Sequence, residues 1–289
     1  MTKLGVIGTG SMGSMIISKF TETNAISPGD ILACNRTKEK VRALSRQTGI
    51  AVAESAREVA QKANTIILCV KPLEVKSVLE NLQDILTPEK LLISIAAGVT
   101  LDNLQAWSQA RIIKVIPSLT FECLKGVALV SFSNRAREED KKQVFSLFRA
   151  ISNPVEIDES KFEILADLTS CAPALIVSVM KEFMLAAVRK DNLSELLAEK
   201  LLRETLVGTA GLLTNKEMSF DGLITRVATK GGITEEGVHV IRKYAPLMFD
   251  EVLKVTLDKH EHLKQLIRNQ NDEASAKNEA RSATPAARW

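Results

Sequence analysis

Lys3-Leu4-Gly5-Val6-Ile7-Gly8-Thr9-Gly10-Ser11-Met12-Gly13 is the stretch that decides how this 289-residue chain is read. Its first five residues make an apolar strand, a GxGxxG turn follows, and an amphipathic helix begins behind the turn. In that order the glycines have distinct jobs. Gly8 takes the tight turn, Gly10 lets the backbone approach a pyrophosphate, and Gly13 lets the helix pack on the strand, while free N–H groups and the positive end of the helix dipole face the phosphates. Thr9, Ser11 and Met12 complete the phosphate-facing loop.

Outward from this unit, short runs rich in Ile, Val and Leu alternate with helical stretches as far as about Pro154, the pattern of a parallel sheet covered on both faces. The expected strands are Lys3–Ile7, Ile31–Cys34, Thr65–Val70, Leu91–Ile95, Ile112–Ile116 and Val127–Ser131, with Val155–Ile157 at an edge. Right-handed crossovers then give a doubly wound, mostly parallel Rossmann sheet whose ligand crevice lies beyond the carboxyl ends of the strands. Gly8, Asn35-Arg36, Lys71-Pro72, Ala96-Ala97-Gly98 and Pro117-Ser118 each fall just past a different expected strand, so one crevice would gather them.

From Lys161 onward the strand pattern gives way to long helices. The α/β reading therefore has three parts: a nucleotide-binding domain over 1–158, an all-helical domain over 159–268, and a solvated tail over 269–289 that lacks apolar periodicity. The segment Ile164–Val188 is apolar on too many sides for one stripe, and a small helical domain struggles to cover it alone, which predicts an obligate homodimer; the alternative is a central helix within a self-sufficient bundle.

Composition narrows the function. With one Tyr, two Trp and nine Phe there is little material for base stacking, and 38 basic against 35 acidic residues make no strong field for nucleic acid. No uninterrupted apolar run approaches the ~18 residues of a membrane span, so no membrane partner is expected. Cys34, Cys69, Cys123 and Cys171 are scattered without a CxxC, and no signal sequence precedes the first strand, which suits free thiols in the cytoplasm. His260 and His262 are two apart on a helix and point apart, so they do not jointly hold a metal.

Where an NAD-binding sheet carries an acid at the end of its second strand, this chain has Asn35-Arg36-Thr37-Lys38, and Asp30 lies at the wrong end of that strand. Arg36 and Lys38 suit a 2′-phosphate, so the expected cofactor is NADP(H); the alternative is that both simply begin a solvated helix.

The glycine turn, Asn35-Arg36-Thr37, Val70-Lys71-Pro72, Ile116-Pro117-Ser118, Leu168-Thr169-Ser170-Cys171-Ala172-Pro173-Ala174 and Thr229-Lys230-Gly231-Gly232-Ile233-Thr234 together resemble pyrroline-5-carboxylate reductase, in order and spacing over about residues 3–265. The closer likeness, through Lys230 to Gly237, is to its late-competence, ComER-type branch. The resemblance implies hydride delivery from NADPH to the C=N carbon of a cyclic imine, giving L-proline, in a dimer of interlocked helical domains. It implies that Thr234 bonds the ring nitrogen and is the catalytic residue, and that the Gly231-Gly232 backbone holds the substrate carboxylate beside Lys230. Val70, Lys71, Pro72, Ala97, Gly98 and Pro117 would frame the nicotinamide ribose and ring. A positioned site suffices for this chemistry, because a protonated imine is already electrophilic.

The chain departs from the family at Lys230, where the reductases carry proline, at Ser118 for Asn, and at Ser170, Cys171, Ala172 and Leu175 for Gly, Ser, Gly and Tyr. Lys230 either meets a second acidic group on the substrate or points into solvent. The departures keep open a regulator that binds NADP(H) without turnover. A dehydrogenase of the 3-hydroxyacid type is the other alternative; it would use Lys181, whose i+4 neighbour is Leu185 rather than the asparagine that chemistry wants.

Overall fold

Successive side chains on a strand point to opposite faces, and here both faces are apolar. In the computed structural model, which describes residues 2–282, these strands form one eight-stranded sheet. They are β1 (Thr2–Ile7), β2 (Ile31–Cys34), β3 (Ala51–Val52), β4 (Ala63–Leu68), β5 (Leu91–Ser94), β6 (Arg111–Ile116), β7 (Val127–Phe132) and β8 (Asn153–Glu156), in the order β3-β2-β1-β4-β5-β6-β7-β8. All neighbours run parallel except β6 and β7, so the sheet is the mostly parallel, doubly wound one expected.

Leu4, Val6, Ile31, Ala33, Ile67 and Ile93 face one layer, made by α1 (Ser11–Glu22), α2 (Lys38–Thr48) and later α6 (Glu138–Arg149). Ile7, Leu32, Ile66, Leu68 and Leu92 face the other, made by α3 (Ala56–Lys62), α4 (Val75–Glu80) and α5 (Leu101–Trp107). Phe20 of α1 meets Phe148 of α6 edge to face, with centroids 5.6 Å apart. Full burial of a side chain of that size is worth about 1.5–3 kcal/mol. The two-residue β3 escapes the sequence reading because Ala51-Val52 is too short to show alternation and is only partly covered.

The helical elements that follow are α7 (Phe162–Ala166), a π turn (Asp167–Cys171), α8 (Ala172–Asp191), α9 (Glu195–Asn215), α10 (Phe220–Val227) and α11 (Ile233–Ser282). The chain divides into two compact units: residues up to Cys171 together with the chain from Leu257 onward, and Ala172–Thr256. The first unit thus reaches past the sequence boundary at 158/159. Phe162 and Ala166 are buried with Ile116 and Leu129, and Ile267 is buried in the core layer that contains Leu92 and Trp107.

Part of the segment read as a tail from 269 is helical. The structure carries α11 through Ser282, and residues 269–282 contain neither Gly nor Pro and several good helix formers. The remaining seven tail positions lie outside the described residues.

The second unit is the opposite of the first in its surface. Among its described residues Met184 is the one buried hydrophobic, while Leu196, Val207, Phe220 and Ile233 are 81%, 71%, 76% and 95% exposed. The helical run Glu159–Asp191 is long and apolar enough to cross a membrane by length and composition alone, a test that the core helix of an assembled protein also passes.

Candidate functional site

The strand order reverses at β1, between β2 and β4, and this is where a doubly wound sheet opens a crevice. The turn after β1 and the turn after β4 meet there. Gly8 has φ +100°, and a Cβ on it would stand 2.6 Å from the Cys69 carbonyl oxygen. A Cβ on Gly13 would stand 2.1 Å from the Gly8 carbonyl oxygen, so α1 can start here only on glycine. Gly10 has nothing within 4 Å of where its Cβ would be. The turn is therefore closed on the protein side and open on the ligand side, as a phosphate cradle requires.

Asn35 stitches this turn to the one after β2. Its Oδ1 accepts the Thr9 N–H at 3.1 Å and its Nδ2 donates to the Thr37 carbonyl at 3.1 Å. The buried Thr9 Oγ1 has no hydrogen-bond partner, a costly state that a polar ligand at the turn would relieve.

A cavity of about 560 Å³ opens beside the turn, lined by Gly8, Gly10, Asn35, Arg36, Thr37, Val70 and Lys71 among others. Thr9, Gly10 and Ser11 also line a groove of about 660 Å³ between α1 and α2. Sequence reasoning missed Lys40, Glu54, Ser55 and Glu74, which line the first cavity as well. Glu54 follows the unrecognised β3, and Glu74 closes the short turn opened by Pro72. The cue for the first was Ser55, which caps α3 by accepting the Glu58 N–H. Asp30 sits at the far end, paired with Lys3 at 2.9 Å.

The expected phosphate ligands carry partners. Arg36 Nη1 lies 3.0 Å from Glu74 Oε1, and Lys38 Nζ lies 3.0 Å from Glu54 Oε2. Burial pushes the Cys34 thiol up to about 11, against a smaller opposing pull from Lys38, and pushes the Cys69 thiol up as well. Both line the cavity as neutral groups.

The other expected cofactor residues do structural work. Met12 packs against the core. Gly98 has φ +74°, which strains any side chain there, and a Cβ would also stand 2.8 Å from Leu263 Cδ2 of α11. Ala97 is half-buried, and Pro117 is buried at the end of β6. Beside it, the Ser118 hydroxyl donates to the Thr169 carbonyl at 3.1 Å. Pro173 cannot donate to that carbonyl, four residues before it, and the π turn accommodates the loss. Cys171, at the end of this turn, has its thiol pushed up by burial and by Asp167.

Lys114 of β6 is almost fully buried. Its Nζ lies 3.3 Å from Glu159 Oε1 and 4.6 Å from the Phe162 ring centroid. Burial lowers its pKa, opposed by Glu159 and Glu163. Glu159 Oε1 also accepts the Leu101 N–H at 2.7 Å, so one carboxylate ties β6 to the start of α5. His260 Nε2 faces Asp167 Oδ1 at 3.8 Å.

In the second unit, Lys230, Gly231, Gly232 and Thr234 form the turn into α11, and Lys230 and Thr234 are exposed. Gly231 has φ +74°. Its N–H donates to Glu235 Oε2 at 2.7 Å, and the Gly232 N–H donates to the Thr229 carbonyl at 2.8 Å. The two amides expected to hold a carboxylate are thus engaged inside the turn. Lys181, also exposed, lines a groove between α8 and α9 with Glu195 and Glu199.

Residues 3–98 match the family described as NADP oxidoreductase, coenzyme F420-dependent, and residues 159–263 match the family described as pyrroline-5-carboxylate reductase dimerisation. The chain is 37% identical to pyrroline-5-carboxylate reductase 3 of Bacillus subtilis over 271 residues, 93% of this chain and all of that protein. It is 33% identical to ComE operon protein 4 of the same organism, over 90% of this chain and 95% of that protein. A solved pyrroline-5-carboxylate reductase from Coxiella burnetii superposes with a TM-score of 0.84 at 26% identity, over 91% of this chain and 98% of its own. With a glycine turn at the switch point, a helical unit that leaves its apolar side chains bare, and likeness along nearly its whole length, this chain belongs to the pyrroline-5-carboxylate reductase family of oxidoreductases.

Proposed function

We propose that this protein reduces pyrroline-5-carboxylate, or a closely related cyclic imine acid, with NADPH, working as a cytoplasmic homodimer. One observation carries the cofactor: the turn at the switch point opens onto a cavity that holds Arg36 and Lys38 where an NAD site would place an acid. The backbone of Gly8 to Gly13 would hold the pyrophosphate and Arg36 with Lys38 the 2′-phosphate. Val70, Lys71 and Pro72 would lie along the ribose, with Ala97, Gly98 and Pro117 behind the nicotinamide end. Bound NADPH would supply a hydride to the imine carbon.

The chain's own residues bind and orient. The Thr234 hydroxyl accepts a hydrogen bond from the protonated ring nitrogen, fixing the face presented to the hydride. The substrate carboxylate pairs with Lys230 and replaces the Glu235 carboxylate at the Gly231 N–H, beside Gly232. The balance is imine, NADPH and one proton in, amino acid and NADP out; the proton arrives on the imine nitrogen, so the protein needs no acid of matched pKa. Dimerisation is supported by the match of 159–263 to a dimerisation family and by the exposed apolar side chains of α8 to α11. The four cysteines are free, which suits a reducing compartment.

Purified protein should oxidise NADPH only when pyrroline-5-carboxylate is added, followed by absorbance at 340 nm, a wavelength set by the cofactor. NADPH binding without oxidation would sink the reductase. It would instead favour a second reading, a competence-type regulator that senses NADP(H), which the likeness to ComE operon protein 4 and the replacements at Ser170, Cys171, Ala172 and Leu175 support.

A further inference from the structure

We propose that Glu54 and Glu74 set this protein's preference between NADPH and NADH, by competing with the 2′-phosphate for Lys38 and Arg36. The proposal rests on reading the switch-point cavity as the dinucleotide site. All four side chains line that cavity, although they come from three different turns: Arg36 and Lys38 after β2, Glu54 after β3, and Glu74 after β4. The Arg36–Glu74 and Lys38–Glu54 pairs each close at 3.0 Å, and Lys38 also donates to the Glu54 backbone carbonyl. Thus the cations that would recognise the extra phosphate are both held by carboxylates on the cavity wall.

The two cofactors differ at one position, and the carboxylates treat that position oppositely. A 2′-phosphate is acceptor-rich and carries close to two negative charges, so it competes with Glu74 for the Arg36 guanidinium, whose Nη1 that carboxylate holds, and then sits beside an anion. A 2′-hydroxyl is a donor. It can bond to a carboxylate without breaking either pair, as the acid at the end of the second strand does in NAD-binding sheets. Glu54 and Glu74 therefore supply from neighbouring turns the acid that β2 lacks, and they narrow an NADPH preference that Arg36 alone would make wide. The rim is solvent-exposed, with Arg36 86% exposed, so each pair acts through a modest local competition.

Fluorescence titration of the full chain with NADPH and NADH gives the ratio of their dissociation constants directly, with no turnover needed. In E74Q and E54Q, which keep side-chain shape, the preference for NADPH should widen by about three- to tenfold each, from exposed-pair strengths and the relieved repulsion of the phosphate. R36A should collapse the preference. Unchanged ratios in E54Q and E74Q, with R36A still lowering it, would overturn this proposal and leave the cavity assignment standing. If neither dinucleotide binds the unaltered chain, or R36A leaves the ratio as it was, the assignment of the 2′-phosphate to this cavity fails, and the proposal with it.

Discussion

The two units of this chain solve burial in different ways. In the first, a sheet with helices on both faces covers Val6, Ile66, Ile67 and Ile113 completely. In the second, helices carry a comparable share of Leu, Val, Ile and Phe but bury little beyond Met184. One is complete as a single chain and places its chemistry at strand ends. The other leaves bare an apolar surface that the proposed partner subunit would cover, because apolar surface on that scale favours burial in water.

The difference is broken most severely by charging the bare surface. Val207→Glu and Leu196→Glu put carboxylates on α9 where the proposed partner would sit, and burying unpaired charge there costs about 3–5 kcal/mol, enough to lower turnover by roughly a hundred- to a thousandfold. Light scattering should show monomers, while NADPH titration should stay within about threefold of the unaltered chain, since the first unit holds its own core. A variant that remains dimeric and active would mean that these side chains face solvent in the assembly.

The converse change strikes the self-sufficient unit. Gly13→Ala places a methyl group 2.1 Å from the Gly8 carbonyl, so α1 must retreat from the turn. Overpacking of this kind costs about 1–3 kcal/mol, and the displaced amides should weaken NADPH by about tenfold to a hundredfold. Light scattering should still report the dimer. Dissociation instead would show that the units do not fold independently.

What could be read from residues follows the same division. β1, its turn and α1 are legible because their pattern is local: Gly13 meets the Gly8 carbonyl five residues before it and Gly8 takes a φ of +100°, although the approach of the Cys69 carbonyl to Gly8 comes from far along the chain. Glu54 and Glu74 are illegible because their places beside Lys38 and Arg36 depend on strand order, which brings β2, β3 and β4 around the switch point. The boundary moved for a similar reason. Loss of strands marks Lys161 in the sequence, but Leu263 packing on Gly98 returns the end of α11 to the first unit, a contact between residues far apart in the chain. The same Gly98, expected beside the cofactor by its position past β5, also has a φ of +74° and a close neighbour in Leu263, neither of which its own segment announces.

A smaller change tests the turn in the second unit. Thr234→Val removes one hydroxyl at nearly constant volume. If that hydroxyl bonds the ring nitrogen, kcat should fall by about tenfold to a hundredfold, the worth of one hydrogen bond of about 1–3 kcal/mol, with NADPH affinity unchanged. An unaltered kcat would remove Thr234 from the reaction and leave Lys230 as the residue of that turn to examine.

The smallest expected effect isolates the first unit, since Ala172–Thr256 contains no cysteine. In the folded chain the Cys34 thiol is held neutral up to about 11, against an ordinary value of 9.0, chiefly because burial penalises the thiolate. Its folded value lies above its unfolded one, so the stability linked to it is full below about pH 9 and is lost as pH rises toward 11. Across that window the group lowers the unfolding free energy by at most about 1.4 kcal/mol per pH unit. Cys34→Ala should therefore make the decline shallower by about one proton, read from urea unfolding at stepped pH, and a thiol reagent should label the exposed Cys123 well before Cys34. An unchanged slope would mean that Cys34 meets solvent in the folded protein, and that the floor of the cavity it lines is looser than the rest of the sheet.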